Sequence, residues 1–365
     1  MSVLSVLREA LASGDDQHLC LQLADADRAE LEALVETARL KVVDTIDAQL
    51  LEWARVRQPS TERGGSEHRA AIAAALGGHG SFAHGSWVFF PWRRALAHVL
   101  PRDAFREVRT NRNRDKITVA EQRSLLTRRI GVVGLSVGHA SALVLAQEGL
   151  CAELRVADFD TIELSNLNRL RTTVLHLGAT KVDVTRREVA EIDPYVRVLT
   201  FPEGITEANA GAFVDGLDLV VEECDTLPMK LRIRELCRKR RIPVVMDTND
   251  RGTLDVERFD LEPDRPLLHG LMGDLDAAGA AALPPSERLN VFYRFLGGAD
   301  EVSGPLRASI AKINSELCSY PQLSSDVHLG AALVAHATRE VLLGRLTRSG
   351  RFRIDLDKLV ANGAP

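Results

Sequence analysis

The residues with the most chemical potential in this chain form one run, Arg155-Val-Ala-Asp158-Phe-Asp160-Thr-Ile-Glu-Leu-Ser165-Asn166-Leu-Asn168-Arg169. It places two carboxylates at the end of an apolar strand, then an amide and a guanidinium about one turn further on. Just upstream, Arg129-Ile-Gly-Val-Val-Gly134-Leu-Ser136-Val-Gly138-His139 reads as a strand, a glycine turn and the start of a helix. Free N–H groups at such a helix start attract phosphate, and a strand-end aspartate suits ribose hydroxyls, so the combination points to a nucleotide. A packed core needs none of these polar residues in this order.

The glycine turn alone fits two other chemistries. Gly134-Leu-Ser136-Val-Gly138 matches the Gly-x-Ser-x-Gly elbow of serine hydrolases, with Ser136 as nucleophile between a strand and a helix. That elbow also needs an acid and then a histidine at later strand ends. The formal choices, Asp218 or Asp247 followed by His269 or His328, are singled out by nothing around them. Several strands should precede the elbow, whereas the chain before Ile130 reads mostly helical. An NAD-dependent oxidoreductase would use Gly134 and Asp158 at compatible spacing. Its Gly-x-Gly-x-x-Gly pattern, however, would require glycines at Ser136 and His139, whose side chains should crowd a pyrophosphate. Neither alternative explains Ser165-Asn166-Leu-Asn168-Arg169.

Read as a unit, Gly134-Leu-Ser-Val-Gly138, Asp158-Phe-Asp160 through Asn166-Leu-Asn-Arg169, Gly178-Ala-Thr-Lys181-Val, Ile192-Asp-Pro194 and Val220-Val-Glu-Glu-Cys-Asp225 resemble the ThiF/MoeB/HesA family. This is the adenylating fold of ubiquitin-activating-like enzymes, and the resemblance covers roughly residues 109–265. It implies a reaction joining Mg-ATP to a carboxylate, usually the C-terminus of a peptide or ubiquitin-like protein, with release of pyrophosphate. A carboxylate with a pKa of roughly 3.5 is already ionised at neutral pH, so such a site needs no catalytic base; it must hold two anions together and spread the developing phosphate charge.

By the same resemblance, Gly134, Ser136 and Gly138 would shape the phosphate turn, Asp158 would bind ribose, and Asp160 would support it from the same strand end. Asn166 and Arg169 would contact phosphates, Lys181 would stabilise the transferring charge, and Asp225 would hold magnesium. Arg112, with Arg114 close behind, would reach into the partner's site of a symmetric homodimer. The chain departs from the family at Ser136, Val137 and His139, where glycines are usual, and in having no Cys-x-x-Cys pairs after residue 250, so the family's frequent zinc is not expected. Cys224 and Cys318 are candidate transfer thiols, although isolated cysteines usually pack as small hydrophobes. A degenerate module that binds nucleotide or peptide without turnover is a further alternative.

These residues must be positioned by a sheet. From Ile130 onward, strands and helices alternate: strands Ile130–Val133, Glu153–Ala157, Val196–Phe201, Leu217–Glu222 and Pro243–Met246, with helices Ala140–Glu148, Lys181–Glu191, Glu207–Val214 and Met229–Arg240 between them. The pattern predicts a Rossmann-like, doubly wound, mostly parallel α/β sheet with helices on both faces. It is preceded by a mainly helical N-terminal region, residues 1–105, with a Gly/His/aromatic segment over Gly77–Arg93 that reads as a strand or hairpin. Residues 106–265 then form the nucleotide-binding domain, and residues 266–365 an extension with a loop at Gly270–Pro285, a short helix at Leu289–Leu296 and an apolar helix at Val327–Leu343.

Composition agrees with this frame. The 365 residues carry a net charge of −5, which argues against a general nucleic-acid binder despite the basic run Arg102–Arg129. Five scattered cysteines and the lack of a long apolar run suit a cytoplasmic protein that does not span a membrane. His79, His84 and His98 have no carboxylate or cysteine in register for a metal and are expected to be structural.

Overall fold

The computed structural model describes residues 3–14, 16–313 and 315–361. The chain divides into two compact units, residues 1–119 and 120–365. In the first, α1 (Val3–Ser13), β1 (Leu19–Leu21), α2 (Arg28–Ala38), β2 (Lys41–Asp44), α3 (Ile46–Arg57) and α4 (Ser66–Leu76) lead into the hairpin β3 (Ser86–Phe90) and β4 (Ala95–Val99), then α5 (Arg102–Arg109). The strands form one sheet in the order β1-β3-β4-β2. Its core gathers Leu4, Leu7, Leu31, Trp87, Phe89 and Leu96.

Strand β3 lies within the aromatic segment read as a strand or hairpin, its hairpin partner β4 lies just beyond that segment, and β1 and β2 interrupt the expected helices. Val42 and Val43, in the region expected to be mainly helical, lie on β2 and are exposed. Their spacing to Ile46 and Leu50 mimics a helix, yet only the latter two belong to α3, while the β-branched pair extends to pair in parallel with β4.

The helix α6 (Val119–Leu125) begins at the boundary of the second unit, and Gln122 on it donates from Nε2 to the carbonyls of Glu148 and Gly149. The unit then alternates β5 (Arg129–Val133), α7 (Gly138–Glu148), β6 (Glu153–Ala157), α8 (Lys181–Ile192), β7 (Arg197–Phe201), α9 (Ala210–Val214), β8 (Leu219–Glu222), α10 (Leu227–Arg240) and β9 (Val244–Thr248). These five strands pair in parallel, in the order β9-β8-β5-β6-β7. Strands β6 and β8 are buried throughout, as expected of a sheet covered on both faces.

Two antiparallel strands, unforeseen in the sequence, extend the β9 edge: β10 (Thr253–Glu257) and β11 (Gly350–Arg353). Residues Gly270–Pro285, expected to be a loop, hold the short helix α11 (Ala277–Ala281). After it come α12 (Pro285–Leu296), α13 (Gly304–Ile310) and α14 (Ser324–Leu342). Val327 and Ala331 on α14 pack against Val137 and Ala140 at the start of α7, which places the apolar C-terminal helix against the main sheet.

The order reverses between β5 and β8: the chain moves from β5 outward to β7, then returns to the other side of β5. Ligands of open α/β sheets bind outside the carboxyl ends of strands at such a reversal. Behind that point lies a fully buried ion network. Arg234 on α10 donates to both Glu222 on β8 and Glu257 on β10, and Lys230 Nζ lies 3.3 Å from Glu222 Oε1. Nearby cations hold the Glu222 carboxyl below its usual range despite its burial. Removing one partner from such a network leaves uncompensated buried charge, so Arg234→Met should lower stability by about 3–5 kcal/mol, measured by denaturant unfolding.

Candidate active site

Gly134 ends β5 with φ at +84°. A Cβ there would lie 2.4 Å from the Glu223 carbonyl oxygen, so the turn leaving β5 and the chain leaving β8 approach as closely as backbone allows. The helix α7 then starts without a side-chain cap and without acidic residues in its first turn. Its opening N–H groups and positive dipole end therefore lie at the strand reversal, open to an anion.

Asp158, at the end of β6, is buried. Its Oδ2 accepts from the Leu135 N–H at 2.6 Å and its Oδ1 from the Asp160 N–H at 2.8 Å. The carboxylate thus pins the glycine turn to the next strand, and each oxygen keeps a lone pair for a further donor. Burial raises its pKa, and the nearby Lys181 opposes that shift. Residues Asp160–Ile162 pair with Gly178–Lys181 through backbone hydrogen bonds, and Thr180 caps α8 by accepting from the Asp183 N–H. This sets Lys181 at the first position of α8, buried, with Nζ 2.7 Å from Asp160 Oδ2.

Asn166 is buried in the turn after β6, where its Oδ1 accepts from the Glu163 N–H at 3.0 Å. Arg169 reaches back to the glycine turn: its Nη2 donates to Ser136 Oγ at 3.2 Å, and its Nη1 to the Ser165 carbonyl and Asn168 Oδ1. Its Nε is buried with no acceptor among the described residues. Asp225, exposed in the loop after β8, accepts at Oδ1 from the Tyr320 hydroxyl at 3.2 Å. Residues Gly134, Ser136, Asp158, Asp160, Asn166, Arg169 and Lys181 are thus linked around the ends of β5 and β6, with Asp225 at the end of the neighbouring β8. Arg112 and Arg114 lie in the first unit, where they line a cavity with Glu52, Arg55 and His68.

The hydrolase arrangement does not form. Ser136 Oγ is engaged by Arg169, Asp218 sits at the opposite end of β8 bound to Arg128 and the Arg129 N–H, His269 faces Asp255 and Arg265, and His328 bonds to Ser324. His139, expected to crowd a phosphate, turns the other way. Its Nδ1 lies 2.9 Å from Thr185 Oγ1 on α8 and its Nε2 3.4 Å from Glu188. In the first unit, the structural role read for the histidines is visible in His98, which bridges Asp44 and the His84 carbonyl and stacks on Trp87.

Two residues to which the family resemblance assigned no role complete the surroundings. Glu223, immediately after β8, accepts from the N–H of Asp247 near the end of β9, and both side chains are buried. Burial raises both carboxyls, Asp247 to about 8. The signal in the sequence is a carboxylate ending the apolar strand Val244–Met246, the same signature that marks Asp158. The folded protein keeps a proton on Asp247 that the unfolded chain loses near pH 4, so stability should fall as pH rises from about 4 to about 8, by on the order of a few kcal/mol. Denaturant unfolding of Asp247→Asn across that range should show a flatter profile and greater stability at pH 8.

A model of the ThiF family matches residues 110–269. An uncharacterized protein of Mycobacterium tuberculosis (strain CDC 1551 / Oshkosh) is 45% identical over 270 residues, which are 74% of this chain and 38% of that protein. The molybdopterin-synthase adenylyltransferase of Escherichia coli (strain K12) is 30% identical over 161 residues, 42% of this chain and 63% of that protein. The tRNA threonylcarbamoyladenosine dehydratase of Bacillus subtilis (strain 168) is 28% identical over 154 residues, 41% of this chain and 60% of that protein. The chain therefore spans less than two thirds of the length of each of these relatives. The matched segment runs from the end of the first unit through the glycine turn, the Asp158–Arg169 loop, Lys181 and Asp225, and over it this chain is similar to the ThiF family.

Proposed function

We propose that this chain adenylates a carboxylate, using ATP and magnesium and releasing pyrophosphate, and that its substrate is the C-terminus of a peptide or small protein. The observation that carries this reading is the juxtaposition of Arg169 with the uncapped start of α7: a guanidinium with one buried, unmet N–H, held on the glycine turn. An adenylate-forming site needs cations placed on phosphate more than it needs a nucleophile or base. The ThiF family match and the adenylyltransferase among the relatives support the same chemistry.

In this scheme the substrate carboxylate oxygen attacks the α-phosphorus of ATP, and the bond to the bridging oxygen breaks, with pyrophosphate leaving. Asp158 orients the nucleotide through its remaining lone pairs. The α7 N–H groups and Arg169 hold the phosphates, and Lys181 exchanges Asp160 for the charge that builds on the transferring group. Magnesium, when bound, neutralises phosphate charge; it takes one or two carboxylates and keeps water or phosphate at its other positions, and Asp225, exposed beside the strand reversal, fits that demand. The homodimer and the contribution of Arg112 across it belong to this proposal as well. The Cys224 thiol is pushed well above its ordinary range, first by burial and then by Glu222, so it is a poor carrier for an acyl group.

ATP–pyrophosphate exchange in the presence of C-terminal peptides tests the reading. Arg169→Ala and Asp225→Ala should each reduce exchange by roughly 10²–10³-fold with the fold intact by circular dichroism, and exchange equal to wild type in both variants overturns the assignment. Ser136→Ala should retain exchange within about tenfold, because the hydroxyl serves there only as one hydrogen-bond acceptor for Arg169.

A further inference from the structure

A cavity of about 410 Å³ opens beside Asp225 and runs beneath the C-terminal helices. Asp247 lines it at 4% exposure, and among the described residues neither of its carboxylate oxygens has a hydrogen-bond partner. A buried carboxyl left in this condition keeps its proton until a cation or a set of donors gives its ionised form a partner, and the raised pKa of Asp247 agrees with that. Its position is enforced: Gly330 on α14 packs so closely that a Cβ there would lie 1.9 Å from Asp247 Oδ2.

The cations that line the same cavity make their close contacts elsewhere, although the Lys230 charge opposes the rise in the Asp247 pKa. Lys230 Nζ is 3.3 Å from Glu222 Oε1 and stands over the Phe295 ring. Arg251 Nε is 2.8 Å from Asp355 Oδ2, and its Nη1 donates to the Glu301 carbonyl. Other acids line the same end: Glu223 accepts the backbone N–H of Asp247, Asp250 accepts that of Ser303, and Asp326 stands on α14. The remaining wall is apolar, built from Phe292, Phe295, Leu296, Leu306, Leu329 and Ile354. Among the described residues no group of three or more His, Cys, Asp or Glu converges as a metal cage. Acid at one end and an aliphatic and aromatic wall along the side suit a cation carried on an alkyl chain.

We infer that this cavity binds a primary alkylammonium group, with its charged head on Asp247 and its chain along the Phe295–Leu306 wall. Together with the adenylation reading, on which this step rests, it defines the substrate class: a carboxylate-bearing molecule that also carries an amine on an alkyl chain, as a basic residue near a peptide C-terminus does. The same cavity reaches Asp225, so both ends of such a molecule have a place.

Titration calorimetry on the full chain near pH 8, without nucleotide, compares n-pentylamine, n-pentanol and magnesium chloride as probes. Pentylamine should bind at least about tenfold more tightly than pentanol, and Asp247→Asn and Asp247→Ser should both lose that preference while keeping the wild-type affinity for ATP. No binding by pentylamine, equal binding by the alcohol, an amine preference that survives in both variants, or binding of magnesium alone that depends on Asp247 would each overturn the inference. Because ATP binding is read separately in every protein, loss of the amine subsite is distinguished from failure of the adenylation proposal.

Discussion

The site depends on one close approach, where the turn leaving β5 lies against the carbonyl of Glu223 as the chain leaves β8. Only a residue without Cβ allows it, and Gly134 also supplies the positive φ that the turn requires. From that contact the rest follows: α7 begins at the strand reversal, Leu135 offers its N–H to Asp158, and the ends of β6 and β8 face a common space. The side chains then add charge to a geometry that the backbone has already set. The buried network of Arg234 with Glu222 and Glu257 supports the same region from behind, fixing α10 and β10 against the strand whose end leads to Asp225.

Much of the second unit was legible because buried parallel strands are unbroken apolar runs and their connecting helices carry a different period. The Asp158–Arg169 run was legible for a similar reason: polar residues at the end of an apolar strand stand out against their surroundings. The β10 and β11 strands were not, since Thr253–Glu257 and Gly350–Arg353 mix charged and apolar residues, and their pairing is stabilised by long-range contacts such as Arg351 with Asp255. The short strands of the first unit failed for a related reason: three or four residues give too little periodicity to compete with neighbouring helices.

Within the site, the sequence indicated which residues gather but not which way they turn. His139 stands where a dinucleotide fingerprint needs glycine, and from the sequence its side chain is expected to crowd a pyrophosphate. In the structure the ring lies between α7 and α8, because Thr185 and Glu188 offer partners there and the first turn of a helix directs successive side chains to different faces. Asp247 shows the opposite case. One carboxylate after an apolar strand carries little weight in a sequence, and its meaning arises only when α14 folds over it with a glycine at the point of contact.

The orientation of His139 has a consequence for anyone who would redesign this turn. Restoring the glycines of a dinucleotide fingerprint looks, in one dimension, like a repair of the nucleotide loop. In three dimensions the histidine is a rivet between two helices, and the one whose first residue is Lys181 would be loosened by its removal. Glycine at 139 would therefore remove a mechanical fastening between α7 and α8.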